Sequence, residues 1–181
     1  MKRSLTAILA VAALLVSSVM AFAHGPTRQK VTLATEVAAS PEEVWAVIGN
    51  FQDMGWHPVV FATEGENGNE IDATRRLVLG AEGGPTIDEV LYKFDAAKMT
   101  YSYRITDVLV DVLPVTNYSS HLSVKPADGG GSIIEWRGAF YRGYPNNDPP
   151  EELNDEAAIA AVTNVYQAGL DALTERFGAL N

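Results

Sequence analysis

The chain has 181 residues, a formal net charge of −10 and no cysteine. Its length suits one folded unit, and 47% hydrophobic with 20% charged residues is the balance of a globular chain. The missing cysteines exclude a disulfide framework, thiolate metal sites and a cysteine nucleophile. The excess of 23 acids over 13 Lys and Arg argues against nucleic acid, whose phosphates need clustered cations, and leaves small molecules and cationic proteins as partners.

Residues 1–23 read as an export signal. Lys2 and Arg3 precede an apolar run from Leu5 to Met20, and Ala21-Phe22-Ala23 fits a cleavage site. The run is shorter than the ~20 residues a spanning helix needs. The expected mature chain is 24–181, periplasmic, with no membrane span after signal removal. Losing Lys2 and Arg3 makes it more acidic still.

Val31–Ala38 reads as a strand. Ser40-Pro41-Glu42-Glu43 then starts a helix: serine caps, proline sits where no N–H is needed, and Glu43 closes a capping box. Val44, Trp45, Val47 and Ile48 supply its apolar face and Gly49 ends it. Residues 50–58 make irregular turns or a second short helix. A period-two pattern follows. It predicts strands at Val59–Glu64, Thr74–Leu79, Thr86–Phe94, Thr100–Thr106, Asn117–Lys125 and Ser132–Tyr141, divided by turn residues. The short connections make the sheet antiparallel.

Asp148-Pro149-Pro150-Glu151 is one helix start and Asn154-Asp155-Glu156 a second, which opens the main helix. Ile159, Val162, Tyr166, Gly169, Leu170, Leu173 and Phe177 form its stripe. A helix of about 23 residues is ~34 Å long and crosses a whole curved sheet. Small residues dilute the stripe. One such helix cannot fill a deeply curved seven-stranded sheet, so large side chains fill the gap or a cavity remains.

This order resembles the START/Bet v 1-like superfamily, which includes polyketide cyclase-like proteins. Ser40 to Trp45, Phe51 with Trp56-His57-Pro58, Ile87-Asp88-Glu89, Tyr101-Ser102-Tyr103, Asn117 to Ser120 and Ile134-Glu135-Trp136 carry the resemblance. It implies an α+β helix-grip fold: a curved seven-stranded antiparallel sheet around a long C-terminal helix, with two short helices after the first strand. Gly49 to Met54, Leu113 to Tyr118 and Phe140 to Pro150 are most similar to MxaD-type periplasmic proteins of bacterial methanol oxidation. That resemblance implies an accessory protein that binds a small hydrophobic ligand, or a quinoprotein dehydrogenase or its cytochrome.

Strand parity then selects candidate site residues. Glu89 lies between Ile87 and Leu91 on an apolar face, where a carboxylate must be paired, hydrogen-bonded or protonated. It is a cavity acid or a structural glutamate, and the resemblance places a pocket glutamate here. His57 is a candidate general base or a partly buried histidine bonded to a backbone carbonyl. Tyr101, Tyr103, Tyr118, Ser120 and Trp136, with Tyr166 of the helix, line a pocket or form an ordinary aromatic core. His121 points outward.

Three function classes follow. The first is the non-catalytic accessory binder. The second is a cyclase, dehydratase or hydrolase with His57 as base and Glu89 or Tyr118 as acid. The third is a lipid or isoprenoid carrier. No cofactor is expected, because nucleotide and hydrolase motifs are missing. No metal is expected either, since the three histidines are unrelated in spacing. His24, exposed as a new N-terminus, offers only an amine and an imidazole for copper. The loop Gly80 to Pro85 is a gate by resemblance, and the apolar stretch Val108 to Val115 is a second rim.

Overall fold

The computed structural model describes residues 25–180; the proposed export signal and His24 lie outside them. The described elements are strand β1 (Gln29–Val37), helix α1 (Pro41–Ile48), strands β2 (Val60–Glu66), β3 (Thr74–Leu79), β4 (Thr86–Asp95), β5 (Thr100–Val108), β6 (Val115–Pro126) and β7 (Ser132–Arg142), a 3-10 turn (Glu151–Leu153) and helix α2 (Asp155–Phe177). The strands form one antiparallel sheet in the order β1-β7-β6-β5-β4-β3-β2. This is the helix-grip arrangement of a curved sheet and a long C-terminal helix.

Helix α1 begins as the sequence dictates. The Ser40 side chain accepts the Glu43 N–H, and the Glu43 carboxylate accepts the Ser40 N–H at 2.9 Å. It stops at Gly49, where any Cβ would lie 2.6 Å from the Trp45 ring. The second short helix expected after it does not form. Residues 50–58 are turns, closed by Asp53 N–H to Asn50 O and His57 N–H to Met54 O. The Asn69 side chain explains the interruption. It accepts the Phe51 N–H at 2.7 Å and donates to Gly49 O at 3.1 Å, satisfying groups that a further helical turn would use.

Helix α2 is capped by Asn154, whose side chain accepts the Ala157 N–H at 2.7 Å, and ends at Gly178 with φ +77. Ala158, Val162, Tyr166, Gly169, Leu170 and Leu173 face the sheet. Ile159, expected in that stripe, is turned toward solvent. No helix among the described residues is long and apolar enough to cross a membrane.

The helix lies along β1 and β7, at one side of the trough. The far side, over β3 to β5, is filled by large side chains: Phe51, Met54 and Trp56 from the turns, and Tyr101, Tyr103 and Tyr118 from the sheet, all buried. Two glycines let the halves meet. Gly169 leaves room for the His57 and Trp136 rings, and a Cβ on Gly138 would lie 2.4 Å from the Tyr166 hydroxyl. Gly138→Ala is therefore expected to destabilise the protein by about 1–3 kcal/mol in urea denaturation. The loss should shrink in a Tyr166→Phe background, where the clashing oxygen is gone. An equal loss in both backgrounds would place the strain elsewhere.

Candidate ligand cavity

Strand parity brings a cation and an anion to the same apolar wall. On β3, Arg75 and Leu77 share the inner face while Arg76 turns out. Arg75 lies opposite Glu89 of β4 in the register. The Arg75 Nε donates to Glu89 Oε2 at 2.6 Å, and Nη1 donates to Phe51 O at 2.6 Å. The guanidinium stacks between the Phe51 and Tyr103 rings, 4.2 and 4.8 Å from their centroids. Its Nη2 has no hydrogen-bond partner among the described residues.

Both groups are almost fully buried. Burial alone would lower the Arg75 guanidinium, but Glu89, with Tyr101 and Tyr103 beside it, holds it above its usual range. Arg75 is thus a permanent cation and Glu89 its counter-ion. Burial raises the Glu89 carboxyl against the pull of Arg75, leaving it easier to protonate than an exposed glutamate.

Next to this pair is a cavity of about 60 Å³. Its wall is mostly apolar, from Met54, Leu77, Ile105, Leu113 and Val165 among others, with Arg75, Glu89 and His57 as the charged or titratable members. Val59, 41% exposed, brings the wall to the surface. Tyr103, Tyr118 and Trp136 complete it.

The expected site residues therefore divide. His57, Glu89, Tyr103, Tyr118 and Trp136 share the cavity wall, whereas Tyr101, Ser120 and Tyr166 are core groups outside it. Ser120 and Tyr166 belong to a hydrogen-bond chain behind the wall. Ser120 Oγ donates to Arg137 O at 3.0 Å, Tyr166 bonds Ser120 at 2.8 Å, and Tyr118 bonds Tyr166 at 2.6 Å. Trp136 Nε1 donates to Ser120 Oγ and to Tyr103 at 3.1 Å. Directing each hydroxyl proton down this chain leaves the Tyr103 proton without an acceptor among the described residues. Burial pushes Tyr103, Tyr118 and Tyr166 well above the ordinary tyrosine range, so all three are neutral hydroxyls.

His57 is engaged on both sides. Its Nε2–H donates to Val165 O at 3.0 Å, and Nδ1 faces the Val59 N–H at 3.4 Å. Its ring is edge-on to Trp56 and Trp136. Burial lowers its affinity for a proton, the Val165 carbonyl opposes that and Arg75 reinforces it. Of the two rims, the 108–115 connection supplies buried Leu113 to the cavity and leaves Leu109 exposed. Leu79, at the foot of the Gly80 to Pro85 loop, also lines it.

Sequence reasoning missed Arg75. The signal was present: Thr74-Arg75-Arg76-Leu77 in a strand forces one arginine onto the face of Leu77.

The family model for polyketide cyclase / dehydrase and lipid transport matches residues 28–178. The chain belongs to this family. Among solved structures, XoxI of Bacillus cereus is 32% identical, with a TM-score of 0.68 over 82% of this chain and 94% of that one. An uncharacterized protein from Bacillus thuringiensis is 32% identical, with a TM-score of 0.69 over 82% and 98%. The Zhui aromatase/cyclase of Streptomyces sp. R1128, 17% identical with a TM-score of 0.63 over 83% and 93%, shares the fold. No curated protein matches the chain.

Two outcomes check this geometry. Glu89→Gln leaves Arg75 buried without its anion and should cost about 3–5 kcal/mol, while the joint replacement Arg75→Met with Glu89→Leu should be far milder. Denaturation of the three variants measures the difference. His57 gives a pH signature. Its proton affinity is lower folded than unfolded, so the unfolded chain takes the proton first and stability falls as pH drops below about 6.5. His57→Phe should flatten that part of the stability curve relative to wild type.

Proposed function

We propose that this member of the family is a non-catalytic binding protein. It takes a small, mostly apolar molecule with one polar end into the cavity beside Arg75 and Glu89. One observation carries this reading: a largely apolar cavity bordered by Arg75, with a guanidinium nitrogen lacking a partner, and by Tyr103, with a hydroxyl proton lacking an acceptor. Hydrogen-bonding groups left over in an apolar wall fix the orientation of a small ligand.

Size and proton chemistry weigh against the other classes. A cavity of about 60 Å³ suits a ligand of a few heavy atoms, so a lipid, an isoprenoid or a polyketide would require it to expand. His57 directs both ring nitrogens at backbone, the wall tyrosines hold their protons far above neutral pH, and the Glu89 carboxylate, although raised by burial, is committed to the Arg75 guanidinium. General acid–base catalysis needs a group whose proton moves near the working pH.

The setting we propose is the periplasm, after removal of residues 1–23, beside a quinoprotein dehydrogenase or its cytochrome. The signal pattern and the MxaD-type stretches support it. Native mass spectrometry of protein drawn from its own periplasm should show a small bound compound, lost in the Arg75→Met/Glu89→Leu variant. Purified dehydrogenase and cytochrome, tested at low and high ionic strength, should bind the protein. A protein always empty and bound by neither partner at either salt would defeat this reading.

A further inference from the structure

The acidic balance of the chain predicts basic partners, yet the charge is unevenly placed. The outer face of the sheet, away from α2, carries exposed Lys30 on β1, Arg137 on β7, Lys125 on β6, Arg104 on β5 and Lys93 on β4. Arg28, just before β1, reaches across the same face to Ser119 Oγ at 3.0 Å and Ala139 O at 3.3 Å. The register gathers them: Arg137 lies opposite Thr32 and His121, His121 opposite Ser102, and Ser102 opposite Lys93.

The carboxylates of this face are marginal or already engaged. Glu135 sits between Lys125 at 3.8 Å and Arg137 at 3.3 Å. Asp88 is held by Arg76 at 2.6 Å, and Asp95 by Lys98 at 3.0 Å. Asp107 lies opposite Asp88, Glu64 and Glu66 are on β2 at the far edge of the sheet with Glu64 opposite Arg76, and Glu36 is near the far end of β1. The centre stays positive. It holds a groove of about 350 Å³ bordered by Lys30, Thr32, Tyr92, Ser119, His121 and Arg137. Two of the arginines are set in place on rings: Arg28 over Tyr141 at 5.6 Å and Arg104 over Tyr92 at 4.7 Å. Such pre-ordering lowers the entropy cost of docking, and Arg with Tyr is a composition that protein interfaces favour.

We propose that this outer face docks an acidic, carboxylate-bearing surface of a partner protein. The cations span five neighbouring strands, about 19 Å at the usual strand spacing. One small anion cannot meet them all, whereas an array of carboxylates can. A lipid surface fits less well, because the groove offers only Tyr92 as a large apolar side chain to insert. A long uniform polyanion such as DNA would also meet the chain's overall charge of −10. This surface is separate from the ligand cavity, so it stands whether or not the cavity binds.

The test is binding of the protein, expressed from its full chain, to an immobilised short oligoglutamate peptide. Vesicles of phosphatidylglycerol and phosphatidylcholine, duplex DNA and inorganic phosphate are the competing probes. Binding to the oligoglutamate peptide is expected at low ionic strength and should weaken with salt. Lys30→Glu/Arg137→Glu should reduce it by about tenfold or more. Arg176→Glu/Asn164→Glu/Ala160→Glu, exposed positions of α2 with the same change in net charge but away from the groove, should leave it near wild type. If circular dichroism shows the first pair unfolded, Lys93→Gln/Lys125→Gln replaces it with the same expectation. No binding at low salt, equal losses in the two kinds of variant, or tighter binding to vesicles, DNA or phosphate would each overturn the proposal.

Discussion

The inner architecture turns on one ion pair that is almost fully buried. Arg75 and Glu89 meet across β3 and β4 on a face otherwise apolar. Taking two charges out of water costs several kcal/mol each (an order of magnitude), so the site must return that energy locally. It does so with a short charge-assisted bond, a backbone carbonyl from Phe51 and two aromatic faces. The Phe51 carbonyl is available because residues 50–58 form turns rather than a helix. The interruption at Asn69 and the sealed pair are thus parts of one solution.

The cavity follows from an asymmetry in the grip. Helix α2 covers the β1 and β7 side, and its small residues allow close approach there. The β3 to β5 side depends on side chains for filling. Rings fill most of it, and their rigid shapes leave a small hollow beside the ion pair. The hydrogen-bond chain from Trp136 through Ser120, Tyr166 and Tyr118 fixes the wall. Tyr103, receiving from Trp136, borders that hollow.

Much of this was legible in the sequence, for physical reasons. Period-two alternation fixed which face of each strand turns inward, so Glu89, Tyr103, Tyr118 and Trp136 were placed correctly on the buried side. The capping box at Ser40 and the stripe from Ile159 to Phe177 located both helices, although Ile159 itself faces solvent. What parity cannot supply is depth. Tyr101, Ser120 and Tyr166 face inward, yet neighbouring rings cover them before the cavity is reached. The second short helix was suppressed by Asn69, a side chain 18 residues beyond Phe51, which no local pattern could reveal. Arg75 was overlooked although its strand position implied burial, because arginine is seldom buried without a partner.

In this account a fold built around a sealed ion pair keeps hydrogen-bonding groups beside a small apolar hollow. The side-chain nitrogen spectrum of arginine-labelled protein tests it most directly. The Arg75 Nε–H should exchange far more slowly than that of exposed Arg28 or Arg104 and should keep a resonance distinct from theirs, as a proton held in a buried bond to Glu89 requires. An Arg75 signal that exchanges with water as fast as the surface arginines and merges with them would contradict the account at its base.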